Sequence, residues 1–296
     1  MLKVGFIGLG IMGKPMSKNL LKAGYELVVL AKNKGAAELV AAGASQADTP
    51  KEVAEKADIV ITMLPNSPQV MEVVLGSNGV IEGAKPGCVV VDMSSIAPLA
   101  SQEIAGKLAE KGIHMLDAPV SGGEPKAIEG TLSVMAGGSE EVFHKCCDVM
   151  MAMAASVVRT GDIGAGNAAK LANQIIVAIN IAAMSEALVL AAKLGVEPEL
   201  VFQAIRGGLA GSAVLDAKAP LVMDRHFEPG FRIDLHIKDL SNVLETSQEV
   251  GVPLPLTSSV MKMMQELTAN DMGECDHSSL IRYYEKLAKI EVSRQR

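Results

Sequence analysis

The chain has no tryptophan, and only three tyrosines and five phenylalanines among 296 residues. Platforms that stack single-stranded nucleic acid need rings, and this chain lacks them. Positive charge is also short. Lys and Arg number 27 against 34 Asp and Glu, a formal charge of −7, with no basic block to offset it. Such a chain is a poor match for a phosphate backbone, so no nucleic acid partner is expected. Cysteine is scarce. Cys88, Cys146, Cys147 and Cys275 show no CxxC spacing, and the chain reads as reduced and cytoplasmic. The apolar run of the first ten residues breaks at glycines, unlike a signal peptide. No stretch reaches 18 uninterrupted apolar residues. The richest, 175–184, is broken by Asn180 and followed by Ser185 and Glu186, so no membrane partner is expected. GluCysAspHis at 274–277 has metal-capable side chains, but the spacing fits no zinc pattern and no metal is expected. Asp276 or Ser278 there reads as the cap of the last helix.

What is present is an apolar chain, 49% hydrophobic with 17 methionines, of a length that suits two domains. In the first half, strand-like apolar runs fall at 3–7, 26–30, 58–64, 88–93, 114–117, 132–136 and 156–160. Helical periods lie between most of them, at 14–23, 36–42, 51–56, 68–75, 98–111 and 140–153. That alternation predicts βαβ units, hence an α/β fold of Rossmann type with a mainly parallel sheet. The runs do not alternate apolar with polar, which suits a sheet covered on both faces. Beyond residue 164 only helices are expected, at 164–194, 198–206, 212–224, 235–250, 255–270 and 278–292. The reading is therefore a dinucleotide-binding domain over 1–162 and an all-α domain over 163–296. Between Gly166 and Ser185 the first of those helices has one charge, Lys170, so it is expected to be buried on most sides, between domains or subunits.

Gly8, Gly10 and Gly13 form a GxGxxG fingerprint directly after the first strand and before a helix. The first glycine permits a tight turn. The second lets a pyrophosphate approach the backbone, and the third lets helix and strand pack closely. Gly8, Leu9, Gly10, Ile11, Met12 and Gly13 are thus the expected cofactor loop. The end of the second strand ordinarily carries an acid for the ribose of NAD. Here residues 28–34 contain none, and Lys32, Asn33 and Lys34 are placed to receive the 2′-phosphate of NADP. A solvated turn would read the same way. Met63, Leu64 and Pro65 follow one strand and Ser95 lies just past another, where loops of doubly wound sheets line the cofactor cleft. AspAlaProValSerGlyGly, 117–123, follows a further strand. Ser121 with the Gly122 and Gly123 amides makes an anion nest for a substrate carboxylate, or else a plain glycine turn.

Lys170 is the strongest single candidate. A lysine alone on so apolar a helix either snorkels to a rim or works in a cleft. Asn167, Asn173 and Gln174 lie one turn before and after it, a polar stripe able to hold a carbonyl oxygen and protonate it. Lys238, in LysAspLeu, could reach a cofactor or form a surface pair with Asp239.

Together these motifs resemble the β-hydroxyacid dehydrogenase family over essentially the whole chain. The resemblance implies Ser121, Gly122 and Gly123 for the carboxylate and Lys170 as the acid–base residue. It implies Ser95 near the nicotinamide, and Phe231 and Lys238 as late cofactor contacts. It also implies a homodimer or homotetramer. The family often has Asn four residues after the lysine; here Gln174 stands there with Asn173 before it, so either amide is a candidate for substrate. Segments 10–25, 122–128 and 231–240 are most similar to those members that reduce tartronate semialdehyde (2-hydroxy-3-oxopropanoate) to glycerate. Such relatives carry an Asp-Arg pair where this chain has Ala31 and Lys32, so the cofactor is NAD or NADP, with NADP tolerated or preferred. His236 is a candidate partner for the substrate 2-hydroxyl, because members acting on the methylated analogue tend to be apolar there. The alternative reading is a surface or capping histidine at a helix start. Rival expectations are another small hydroxyacid or semialdehyde, such as 3-hydroxyisobutyrate or succinic semialdehyde, and a non-catalytic dinucleotide-binding scaffold.

Overall fold

The computed structural model describes residues 2–33 and 35–294. Lys34 lies outside the described residues. Contacts divide the chain into two units, 1–170 and 171–296.

Unit 1 alternates in the expected way. Its elements are β1 (Lys3–Ile7), α1 (Gly13–Lys22), β2 (Glu26–Leu30), α2 (Ala36–Ala41), β3 (Ser45–Ala47), α3 (Pro50–Glu55), β4 (Ile59–Thr62), α4 (Ser67–Leu75), α5 (Val80–Gly83) and β5 (Val89–Asp92). Then come α6 (Pro98–Ala109), β6 (His114–Asp117), β7 (Val120–Ser121), α7 (Gly123–Glu129), β8 (Leu132–Gly137), α8 (Glu140–Met151) and β9 (Ala154–Gly161). The strand order is β3-β2-β1-β4-β5-β6-β8-β7, with β9 on β8. The pairs from β3 to β6 are parallel. β8 then runs antiparallel to both β6 and β7 and parallel to β9.

Burial explains the unbroken apolar runs. Alternate residues of one strand go to opposite faces. Val4, Phe6, Ile59, Ile61, Val89 and Val91 enter one core, while Ile7, Val60 and Val90 enter the other. Each face is covered, so no polar alternation survives in the sequence. Because β1 sits between β2 and β4, the chain reverses direction across the sheet there. That switch point opens a crevice at the carboxyl ends of β1 and β4, where ligands of such sheets bind.

Unit 2 takes up most of α9 (Ala165–Lys193), in which the division falls, then α10 (Pro198–Ile205), α11 (Ala213–Met223), α12 (Ile233–Glu249), α13 (Pro255–Thr268), a 3₁₀ turn (His277–Leu280) and α14 (Ile281–Ala288). No strand is found among its described residues apart from an isolated bridge between Arg232 and Asp276. With few rings available, its core is built from aliphatic and methionine side chains, among them Ile181, Met184, Leu188, Val222, Met223, Leu240 and Met264. Asp276 caps the 3₁₀ turn rather than α14: it accepts from the Ser278 amide, while Leu280 at the start of α14 makes no side-chain cap.

α9 is apolar almost all round, and by length and composition alone it could cross a membrane. Its Ala178, Ile181, Met184 and Leu188 belong to the unit 2 core. Ile176 and Leu190 are exposed in the single chain, which covers the helix on one face.

Candidate active site at the strand ends

Residues 8–13 turn directly out of β1 into α1, at the switch point. The turn is built on glycine. A Cβ on Gly13 would lie 1.8 Å from the Gly8 carbonyl oxygen, so the third glycine is required for the close packing of turn and helix. Gly10 is exposed, with nothing near the position a Cβ would take. Backbone there is open to a pyrophosphate, and no side chain caps α1, which leaves its first amides for an anion. These residues therefore fit a dinucleotide. Ile11 is exposed and Met12 half-buried, whereas Leu9 is buried in the core and anchors the turn.

At the end of β2, Ala31 and Asn33 are half-buried and Lys32 is exposed. Behind them Glu38 is held by Lys14 and Lys18, and those two ammonium groups keep its carboxyl below the ordinary value. The β2 end thus carries lysine on the side where an NAD-binding acid is usual.

The next strand ends are tied together by buried carboxylates. Asp92 Oδ1 accepts from Thr62 Oγ1 (2.8 Å), Ser94 Oγ (2.6 Å) and the Ser94 amide (3.2 Å). Ser94 Oγ in turn accepts from the Leu64 amide at 2.9 Å. This chain fixes Met63 to Pro65 after β4 and brings the half-buried Ser95 to the same edge. Burial pushes the Asp92 carboxyl up to about 6, although its hydroxyl and amide donors pull the other way.

Asp117, the register partner of Asp92 on β6, does the equivalent work for α9. Its Oδ1 accepts from the Gly164 amide and its Oδ2 from the Asn167 amide, both at 2.7 Å. Burial raises this carboxyl also to about 6, against the lowering effect of those amides. A Cβ on Gly166 would sit 2.2 Å from the Asp117 carbonyl oxygen and 2.5 Å from that of Met135, so helix and strand ends touch through glycine. The Asn167 side chain accepts from the Ile96 amide (3.1 Å) and donates to Ser101 Oγ (3.1 Å). Its amide is therefore engaged within the fold, a correction to the expected polar stripe. Lys170 follows one turn later and is only 7% exposed.

Four residues past Asp117, Ser121 ends the short β7, and Gly122 and Gly123 lead into α7 with φ of +139° and +68°. The expected glycine-rich nest is thus a strand-to-helix turn with no side-chain cap. A hydroxyl and free helix-start amides lie together there, as carboxylate binding requires.

Within unit 2, Gln174 is buried and donates to Asp239 Oδ2 at 2.6 Å. The other oxygen of Asp239 pairs with Lys238 Nζ at 2.6 Å. The i,i+1 pair weighed for Lys238 forms, though on a buried carboxylate rather than at the surface. The Asn173 Oδ1 is buried without a hydrogen-bond partner among the described residues. His236 is fully buried; its Nδ1 lies 3.0 Å from Nδ1 of His277, and Phe231 packs edge-on against both rings. The Phe231 amide donates to Asp276, which also receives Lys218. Burial works against the charge of Asp276, but His277 and Lys218 hold its carboxyl at about 2.

Comparison with known proteins agrees with this geometry. Residues 3–161 match the NAD-binding domain of 6-phosphogluconate dehydrogenase, and residues 164–284 match the NAD-binding region of NADP-dependent 3-hydroxyisobutyrate dehydrogenase. The chain is 43% identical to 2-hydroxy-3-oxopropionate reductase of Escherichia coli, covering 99% of this chain and all of that one. It is 40% identical to 2-(hydroxymethyl)glutarate dehydrogenase of Eubacterium barkeri, covering 99% and 98%. The solved 3-hydroxyisobutyrate dehydrogenase of Mycobacterium tuberculosis superposes with a TM-score of 0.90 at 32% identity, covering 96% and 99%. Sheet order, glycine turn and whole-length likeness coincide: the chain belongs to the 3-hydroxyisobutyrate dehydrogenase family of NAD(P)-dependent β-hydroxyacid oxidoreductases.

Proposed function

We propose that this oxidoreductase reversibly reduces tartronate semialdehyde to glycerate, with NADPH tolerated or preferred beside NADH. The observation that carries the chemistry is Lys170, buried on an apolar helix whose start is tied to the strand end leading into Ser121. The choice of substrate within the family is supported by whole-length likeness to the Escherichia coli reductase.

In this reading Ser121 and the Gly122 and Gly123 amides hold the substrate carboxylate and so fix the aldehyde carbon. When bound, the reduced nicotinamide supplies hydride to that carbon. The Lys170 ammonium donates its proton to the developing alkoxide, and in the reverse direction the neutral amine takes it back. Asn173, with an uncommitted amide oxygen, is the better candidate to touch substrate; Gln174 is engaged by Asp239. His236 is assigned to discrimination at the 2-hydroxyl. The lysine-bearing β2 end supports tolerance of a 2′-phosphate. The uncovered side of α9 supports a homo-oligomer.

The test is a steady-state assay of tartronate, methylmalonate and succinic semialdehydes with both reduced cofactors. Tartronate semialdehyde should have the highest kcat/KM. Preference of about tenfold or more for another semialdehyde would replace the substrate. No turnover of any would favour the scaffold reading.

A further inference from the structure

Asp117 lies in the fold where three requirements of the site meet. It ends β6, which leads in four residues to Ser121. Its two carboxylate oxygens accept from the Gly164 and Asn167 amides at the start of α9, one turn before Lys170. Asn167 then reaches the other way, accepting from the Ile96 amide beside Ser95 and donating to Ser101 at the head of α6.

These bonds span 47 to 71 residues of sequence. Two separate oxygens on two amides set both the axial position and the rotation of α9. A single bond would leave the helix free to turn about it. The glycine contacts add a steric stop, since neither Gly166 nor Gly137 has room for a Cβ against Asp117 and its neighbours. A carboxylate at a helix start also places negative charge against the positive end of the helix dipole.

We propose that Asp117 and Asn167 form a positioning latch, which holds Lys170 in register with the loops bearing Ser95 and Ser121. The inference rests on the assignment of Lys170 as proton donor. Neither latch residue is a catalytic residue. Asp117 acts through the backbone of α9 and Asn167 through the backbone at Ile96.

The latch makes a demand that a merely structural role would not. Weakening it should misplace the proton donor while the cofactor turn and the carboxylate nest stay intact. Displacement of a reacting group by about 1 Å can cost on the order of 100-fold in rate. Asp117→Asn keeps the shape of the side chain but sets an NH₂ against one of the two amides. With tartronate semialdehyde and NADPH, kcat should fall about 10- to 100-fold, while substrate KM and cofactor Kd stay within about twofold. Asn167→Ala, which keeps the backbone amide, should lower kcat about tenfold, and it serves as the independent arm if Asp117→Asn folds poorly. Lys170→Ala is measured beside them. If Lys170→Ala is inactive and both latch variants keep wild-type kcat, the latch is overturned and the lysine assignment stands. If kcat falls while KM and Kd rise and thermal stability drops with them, the residues are only structural and the latch is again overturned. If Lys170→Ala keeps more than about a tenth of the wild-type rate, the assignment on which the latch rests fails first.

Discussion

The carboxyl edge of the sheet and the helical core of unit 2 both rest on buried side chains, yet they are built to different tolerances. At the sheet edge, two carboxylates and a buried asparagine are matched to named amides and hydroxyls, and glycines stand where a methyl group would strike backbone. In unit 2, aliphatic and methionine side chains fill the core. Apolar packing tolerates a change of shape better than a polar network tolerates a missing partner. The difference marks where position matters to chemistry. Burial of the Asp92 and Asp117 carboxylates costs stability, and the sheet edge retains both.

The largest expected break in this contrast comes from glycine. Gly166→Ala drives a Cβ into two carbonyl oxygens, and a loss of about 3 kcal/mol or more is expected in urea unfolding. Gly207→Ala, in unit 2, has open space and should stay within about 0.5 kcal/mol of wild type. Similar losses at the two sites would remove the distinction.

A pH series sharpens it next. The native pKa of Asp117, about 6, lies above the ordinary 3.8, so protonation favours the native state. Its contribution is fully present below about 3.8 and is lost as the pH rises through 6, a swing of up to about 3 kcal/mol. Asp117→Asn lacks this dependence. Its stability relative to wild type should therefore climb between about pH 4 and pH 6. A difference that stays flat across that range means the carboxyl is not raised.

His236→Met probes the polar exception within unit 2. It leaves the buried His277 Nδ1 without its partner, and stability should drop by about 1–3 kcal/mol. Kinetics then separate two roles. Tartronate semialdehyde should suffer more than an analogue lacking the 2-hydroxyl; equal losses would make the histidine pair structural alone. The smallest effect is expected at the β2 end. Ala31→Asp should lower the NADPH-to-NADH ratio of kcat/KM by about tenfold through repulsion of the 2′-phosphate. An unchanged ratio means that this turn does not face the ribose.

Much of this architecture is legible in the sequence because the signals are local. Runs such as 89–91 declare a strand buried on both faces, and the strand–glycine–helix order declares the switch-point turn. β3 was not legible, because Ser45 and Gln46 are exposed and Ser-Gln-Ala has no apolar run. α7 was hidden by its Gly-Glu-Pro opening and α5 by its four-residue length. Lys170 stands out as a charge on an apolar helix. The Asp117 latch does not, since its partners lie 47 and 50 residues away. The one available signal was an aspartate closing each of two apolar strands, ValValValAsp and HisMetLeuAsp. Asn167 misled for a related reason: helical spacing put it beside Lys170, while its amide is spent on Ile96 and Ser101.

The measurement that bears most directly on the account is turnover by Lys170→Ala with cofactor affinity determined in parallel by nicotinamide fluorescence. The account requires a proton donor at this position and a dinucleotide turn that does not depend on it. Turnover of tartronate semialdehyde should fall by about 100-fold or more, with cofactor Kd within about twofold of wild type. Retention of more than about a tenth of the wild-type rate would contradict it, because the chemistry would then have a different proton source.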